Sequence, residues 1–202
     1  MTVSPGSRVD LDADLVEALR RDDPKAVEEL VERFGDRVYR LARHITGSNE
    51  DTVEVAQDAL WKAMRKIGMF KSEWTFGSWL YRIVAKAAYQ KLRARRGKAR
   101  EVPMNEVLPA FDGESQHFEG ITDWSERVDD PALTAELLAV LERAIDGLPP
   151  DYRTALVMHD VEGLSNSDIA QTLGVSLPAV KSRVHRSRLW VRKQLAEYLQ
   201  PR

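Results

Sequence analysis

From residue 27 to residue 45 the apolar side chains fall at Val27, Leu30, Val31, Phe34, Val38, Leu41, Ala42 and Ile45. Three-and-four spacing gathers such residues on one face of a helix and would scatter them over both faces of a strand. The same rhythm recurs along most of the chain. Residues 14–19 form a short amphipathic piece, and Asp22 and Asp23 before Pro24 predict the next helix start, with an acid at the cap and proline in the first turn. Gly47 closes that helix. Residues 48–51, with an acid three positions after Ser48, predict another cap. The next apolar face is Val53, Ala56, Leu60, Met64 and Ile67, closed by Gly68. After the loop MFKSEWTF, Thr75 or Ser78 is placed to cap a helix with Trp79, Leu80, Ile83, Val84 and Ala87 on its apolar face and a basic tail ending at Gly97. Leu133, Leu137, Leu138, Leu141 and Ile145 mark a further helix, ended by Gly147. Pro149 and Pro150 restart the pattern through Ala155, Leu156, Met158 and His159. Strand alternation and fixed-period repeats are both lacking, so the expected class is all-α.

Periodicity lapses between 101 and 130, where Pro103, Pro109, Gly113 and Gly120 accompany nine acids and one Arg. We therefore expect a flexible tail over 1–9, a helical domain over 10–100, an acidic flexible linker over 101–130, and a second helical domain over 131–202. The linker keeps Val102, Leu108, Phe111, Phe118, Ile121 and Trp124, each able to grip a surface. The net charge of −2 hides strong segregation. Residues 82–100 carry eight Lys or Arg and no acid, and residues 178–202 carry seven against one acid. Two basic surfaces joined by an acidic strap suit a polyanionic partner better than a merely solvated face does.

Other classes are disfavoured. The chain has no cysteine, and its four histidines (His44, His117, His159 and His185) lack metal-ligand spacing. It has no phosphate-loop or serine-elbow motif, so an enzyme reading has little support and no cofactor is expected. The N-terminus is polar, and no apolar run approaches a membrane span. A cytoplasmic protein without membrane insertion is the expectation.

The stretch EGLSNSDIAQTLGVSLPAVKSRVHRSRLWVRKQL, residues 162–195, reads as a helix-turn-helix. Ser165 caps the first helix with Asp168 as its partner, Ile169, Ala170 and Leu173 pack inward, and Gly174 suits a left-handed turn. Val175 fills the corner and Ser176 caps the second helix. At 100° per residue Val180, Val184, Ser187 and Val191 share the buried side, while Ser182, His185, Arg186 and Leu189 lie roughly opposite, flanked by Lys181 and Arg183. The expected DNA-reading set is Ser176, Lys181, Ser182, Arg183, His185 and Arg186, with Arg186 suited to a guanine edge and the flanking cations to phosphates. Taken alone, this element fits a repressor, a response-regulator output domain or a sigma factor.

The first domain narrows the choice. YRLARHITGSNEDTVEVAQDALWKAM, FGSWLYRIVAKAAYQKLRARR and LPPDYRTALVMHDVEGLSNSDIAQTLGVSLPAVKSRVHRSR, in that order, resemble the extracytoplasmic-function sigma factors, the short group of the bacterial sigma-70 family. The resemblance covers nearly the whole chain. It implies a non-enzymatic protein that binds core RNA polymerase at the clamp of the largest subunit and at the flap. The first domain would open the −10 element, the second would read the −35 element, and the linker would thread toward the active-site cleft. An anti-sigma protein is a further expected partner. Carried over by position, Glu54, Gln57, Asp58, Leu60 and Trp61 form the polymerase-docking face, although Leu60 also fits the core periodicity. Lys71, Trp74 and Phe76 belong to the base-capturing loop, and Trp79, Arg82 and Lys86 to the melting helix. Trp79 equally fits the apolar face. The chain has Val53 where the family has an acid, and Lys86 and Gln90 where it has Asn and Asp. Two readings outside the family are a one-component DNA-binding regulator and an RNA-binding adaptor.

Overall fold

A computed structural model describes residues 12–71, 75–96 and 131–199. Among these residues the regular structure is entirely helical. Four α-helices precede the linker: α1 (Ala13–Arg20), α2 (Pro24–Thr46), α3 (Asn49–Arg65) and α4 (Phe76–Arg96), with a 3₁₀ turn at Ile67–Met69. Four follow it: α5 (Pro131–Asp146), α6 (Pro150–Leu156), α7 (Asn166–Leu173) and α8 (Leu177–Leu199). In the first half α4 packs against both α2 and α3. In the second, α8 packs on α5, α6 and α7.

Local chemistry sets the boundaries. The Asp23 carboxylate accepts from the Lys25 amide at 3.0 Å, and Pro24 opens α2 where no amide is needed. Gly47 takes φ 68° and donates its amide to the Arg43 carbonyl, ending α2 in a left-handed turn. Thr75 caps α4, accepting the Ser78 amide at 3.3 Å. Ser48 does not cap α3 with its side chain. The Thr52 hydroxyl instead donates to the Ser48 carbonyl at 2.5 Å and meets the Thr46 hydroxyl at 2.9 Å, so two threonines hold this corner.

Several apolar faces are rotated from the expected ones. On α2, Leu30, Phe34, Val38, Leu41, Ala42 and Ile45 are buried with Ala26, whereas Val27 and Val31 are 39% and 51% exposed. On α3 the buried side is Thr52, Val55, Ala56, Ala59 and Ala63. Val53 faces solvent, while Leu60 and Met64 are partly buried at the margin. Alanines on that face let α4 approach closely, so the bulky residues sit at the edge. On α4 the buried stripe is Phe76, Leu80, Tyr81, Val84, Ala85, Ala88, Tyr89 and Leu92, flanked by Trp79, Ile83 and Ala87. On α5, Val140, Ala144 and Ile145 are buried and Leu138 is exposed. Trp190 of α8 donates its indole N–H to the Ala144 carbonyl at 2.8 Å, fixing α8 against α5. The buried apolar residues of the two halves form one connected cluster.

Candidate functional site

In the helix-turn-helix, the Ser165 hydroxyl donates to the Asp168 carboxylate at 2.6 Å and accepts the Asp168 amide at 3.2 Å. Gly174 ends α7 at φ 68°, and the Ser176 hydroxyl accepts the Ala179 amide at 3.3 Å to start α8. Val180, Val184 and Ser187 are buried, and Ser187 donates to the Tyr152 carbonyl at 3.1 Å, locking α8 onto α6. Ser176, Lys181, Ser182 and His185 are exposed, and Arg186 is half-buried. Arg183 departs from its expected flanking place. It is buried, 8% exposed, beside Tyr89 of α4. The reason is angular: three residues after Val180 and one before Val184, Arg183 lies nearer the packed side of α8 than its free one.

A second anchor of α8 was not visible in the sequence. α6 runs on as a wider π turn, Val157–Val161, which presents His159 and Asp160 together. Arg188 donates to Asp160 at 2.8 Å, and the hydrogen bonds from Arg188, then His159, hold that carboxyl below its ordinary pKa. Arg188 is thus engaged within the fold, although it belongs to the basic run.

The aromatic loop region differs from expectation. Phe76 has no exposed surface and packs edge-on to Phe34 and Phe70, with ring centroids 5.3 and 5.8 Å apart. A base cannot stack on it, so Phe76 is corrected from stacking platform to core. Trp79 is half-buried, 5.4 Å from Phe70 and 5.8 Å from Phe76, with part of its surface open. Lys71 and Lys86 are exposed. Trp74 lies outside the described residues, as does the linker.

Arg82 is half-buried and pairs with Asp168 of α7 at 2.8 Å. Farther along α4, Lys91 meets Glu54 at 2.6 Å and Arg95 meets Asp51 at 3.1 Å. Acids of α3 thus offset part of the basic run.

The expected docking residues come together on α3. Glu54, Gln57 and Asp58 are exposed, and Trp61 is 65% exposed. Gln57, Leu60, Trp61 and Met64 form one wall of an apolar groove whose other wall is Leu19, Val27 and Val31. Leu60 joins both alternatives, touching the core and lining the groove. Sequence reasoning missed Val27 and Val31 here. Their signal was present, since α2 carries more apolar residues than one face needs.

Known proteins match these features. Residues 30–98 match the model for Sigma-70 region 2 and residues 138–191 that for Sigma-70, region 4. The RNA polymerase sigma-H factor of Pseudomonas aeruginosa is 33% identical over 191 residues, covering 93% of this chain and 95% of its own. The chain belongs to the extracytoplasmic-function sigma factors of the sigma-70 family. The ECF RNA polymerase sigma factor SigE of Mycolicibacterium smegmatis is 36% identical over 85% of this chain, which spans 62% of that relative's length. The ECF RNA polymerase sigma factor SigW of Bacillus subtilis is 27% identical over 90% of this chain and 95% of its own. The fold is shared with CnrH, solved with the cytosolic domain of CnrY, at TM-score 0.55 and 22% identity, covering 92% of this chain and 97% of that one. It is shared also with RpoE of Bartonella quintana, solved with the anti-sigma factor NepR, at TM-score 0.54 and 21% identity over 86% of this chain and 98% of that one. Sigma factors of this family are non-catalytic initiation factors that bring core RNA polymerase to promoter DNA. Among the described residues of this sigma factor, no helix is long and apolar enough to cross a membrane.

Proposed function

We propose that this sigma factor docks on core polymerase through the α3 surface around Trp61, reads the −35 element with the exposed face of α8, and engages the −10 element along α4 and the loop before it. Trp61 carries the docking assignment. A tryptophan left 65% exposed beside an apolar groove, with Glu54, Gln57 and Asp58 along the same helix, has the make-up of an interface hot spot. The −35 set is Ser176, Lys181, Ser182, His185 and Arg186; Arg183, buried beside Tyr89, is left out of it. The −10 set is Lys71, Trp74, Trp79, Arg82 and Lys86. Promoter opening is carried out with polymerase and needs no catalytic group of this chain. We extend to it the family's control by an anti-sigma protein and a place in the cytoplasm beside polymerase.

The test is co-elution of the full chain with core polymerase in the absence of DNA. A DNA-binding regulator or an RNA adaptor forms no such complex. Trp61→Ala should weaken the complex about tenfold or more, as loss of a hot-spot aromatic does. Its helical content should stay unchanged, because most of the indole faces solvent. Undiminished co-elution of Trp61→Ala would move the docking site elsewhere.

A further inference from the structure

The carbonyl of Phe70 is held by a side chain fifty positions earlier in the chain. The 3₁₀ turn Ile67–Met69 ends where Phe70 becomes extended, at φ −66° and ψ 124°, with its amide donating back to the Ile67 carbonyl at 3.0 Å. Extended backbone after a turn aims its carbonyl away from that turn, and a carbonyl among packed side chains needs a donor from elsewhere. Arg20, in the last turn of α1, supplies that donor at 2.9 Å. Glu17, three residues earlier on α1, holds another nitrogen of the same guanidinium at 2.8 Å. α1 is a firm base for this reach, since Leu15, Val16 and Leu19 are all buried. The Phe70 ring is buried too, 5.4 Å from Trp79 and 5.8 Å from Phe76. Lys71 follows it directly and is exposed. Glu17 and Arg20 lie outside the docking and reading sets, yet they fix the residue that precedes Lys71 and whose ring backs Trp79.

We propose that Arg20 is a positioning residue for the −10 element. It acts through Phe70 rather than on DNA, setting Lys71 and Trp79 where the opened strand meets them, and Glu17 orients it. This use of the clamp rests on the −10 reading given above; the clamp itself rests on the two hydrogen bonds. A guanidinium suits the task, because its donors form a rigid planar fork. Tying one nitrogen to Glu17 therefore limits where the other can point. As a surface ion pair, Glu17 and Arg20 add little stability of their own. The bond to Phe70 instead ties together two segments that only the tertiary fold makes neighbours. Without it the backbone entering the loop gains freedom, and groups that must meet a ligand together tolerate only about 0.5 Å of displacement.

Arg20→Met in the full chain keeps an aliphatic stem and removes the guanidinium. Amide hydrogen exchange should then rise across residues 67–71 and 75–80 and stay unchanged in α2 and α8. Affinity for core polymerase should stay within about twofold, as for other substitutions outside a binding face. The holoenzyme is next offered a single-stranded oligonucleotide carrying the −10 segment of a promoter located by start mapping. Binding should fall at least about fivefold, the effect of one lost hydrogen bond. Binding to the matching −35 duplex should not change. Arg20→Lys can still donate to the Phe70 carbonyl and should recover part of the loss. Exchange in Arg20→Met like that of the parent overturns the clamp. Raised exchange with unchanged oligonucleotide affinity, or equal losses on the −10 strand and the −35 duplex, overturns the positioning role. A parent holoenzyme that binds the −10 strand no better than a scrambled one sinks the −10 reading, and the exchange result alone then decides the clamp.

Discussion

Phe76 and Trp79 stand three residues apart on α4, yet their environments separate them. Phe76 is fully enclosed by Phe34, Phe70 and Trp79. Phe76→Ala should therefore cost about 3–5 kcal/mol of stability, the range for emptying a buried aromatic site. Denaturant unfolding reads it, and a cost below about 1 kcal/mol would return Phe76 to the surface. The arginines of α8 divide likewise. Arg186 remains beside the exposed Ser182 and His185, so Arg186→Ala should flatten preference at one base pair of the −35 element, where a bidentate contact contributes about 1–3 kcal/mol. Lys181→Ala should weaken all duplexes alike and lower the salt slope by about 1. Binding of single-base variants at several salt concentrations distinguishes the two. If Arg186→Ala lowers every variant equally, it is a phosphate clamp. For Arg183, its position one before the buried Val184 was the available warning. Its partner Tyr89 lies in a distant part of the sequence, and no spacing rule connects them.

At the scale of elements, the caps were the most legible features. Asp23, Gly47, Ser165, Gly174 and Ser176 act where local chemistry placed them, because each depends only on neighbours within a turn. Ser48 failed for a local reason as well: Thr46 and Thr52 compete for the same corner. Faces were less legible. Val27, Val31 and Val53 satisfy helical spacing but stand outside the core, since periodicity counts apolar residues without distinguishing buried from exposed ones. The surplus apolar residues of α2 and the Trp of α3 were the readable signs of the exposed groove between them. The π turn at Val157–Val161 had no sequence sign. It brings Asp160 to Arg188 and the buried Glu162 to Arg37, contacts that follow from tertiary packing.

For the molecule as a whole, the division into two helical halves was legible from the loss of periodicity after residue 100, but their mutual packing was not. His44 of α2 lies 4.0 Å from Asp146 of α5 across that packing. Burial holds its imidazole below the ordinary pKa; Asp146 and Glu142 oppose this, while Arg153 and Arg40 add to it. A depressed folded-state value means the unfolded chain takes the proton first. This contribution to stability is intact above about pH 6.5 and is lost as pH falls through the folded value. Glu162, raised by burial, acts in the opposite sense, so variants must be compared rather than absolute curves read. Thermal melts stepped from about pH 7 to about pH 5.5 should fall less steeply for His44→Gln than for the parent. Equal slopes would show that His44 is not the group responsible. Whether this chain directs polymerase to promoters is read by mapping the transcription starts made by core polymerase with and without it. New starts that share a −35 and a −10 element at fixed spacing should appear, and should be lost with Trp61→Ala. Starts unchanged by adding the chain would show that it does not.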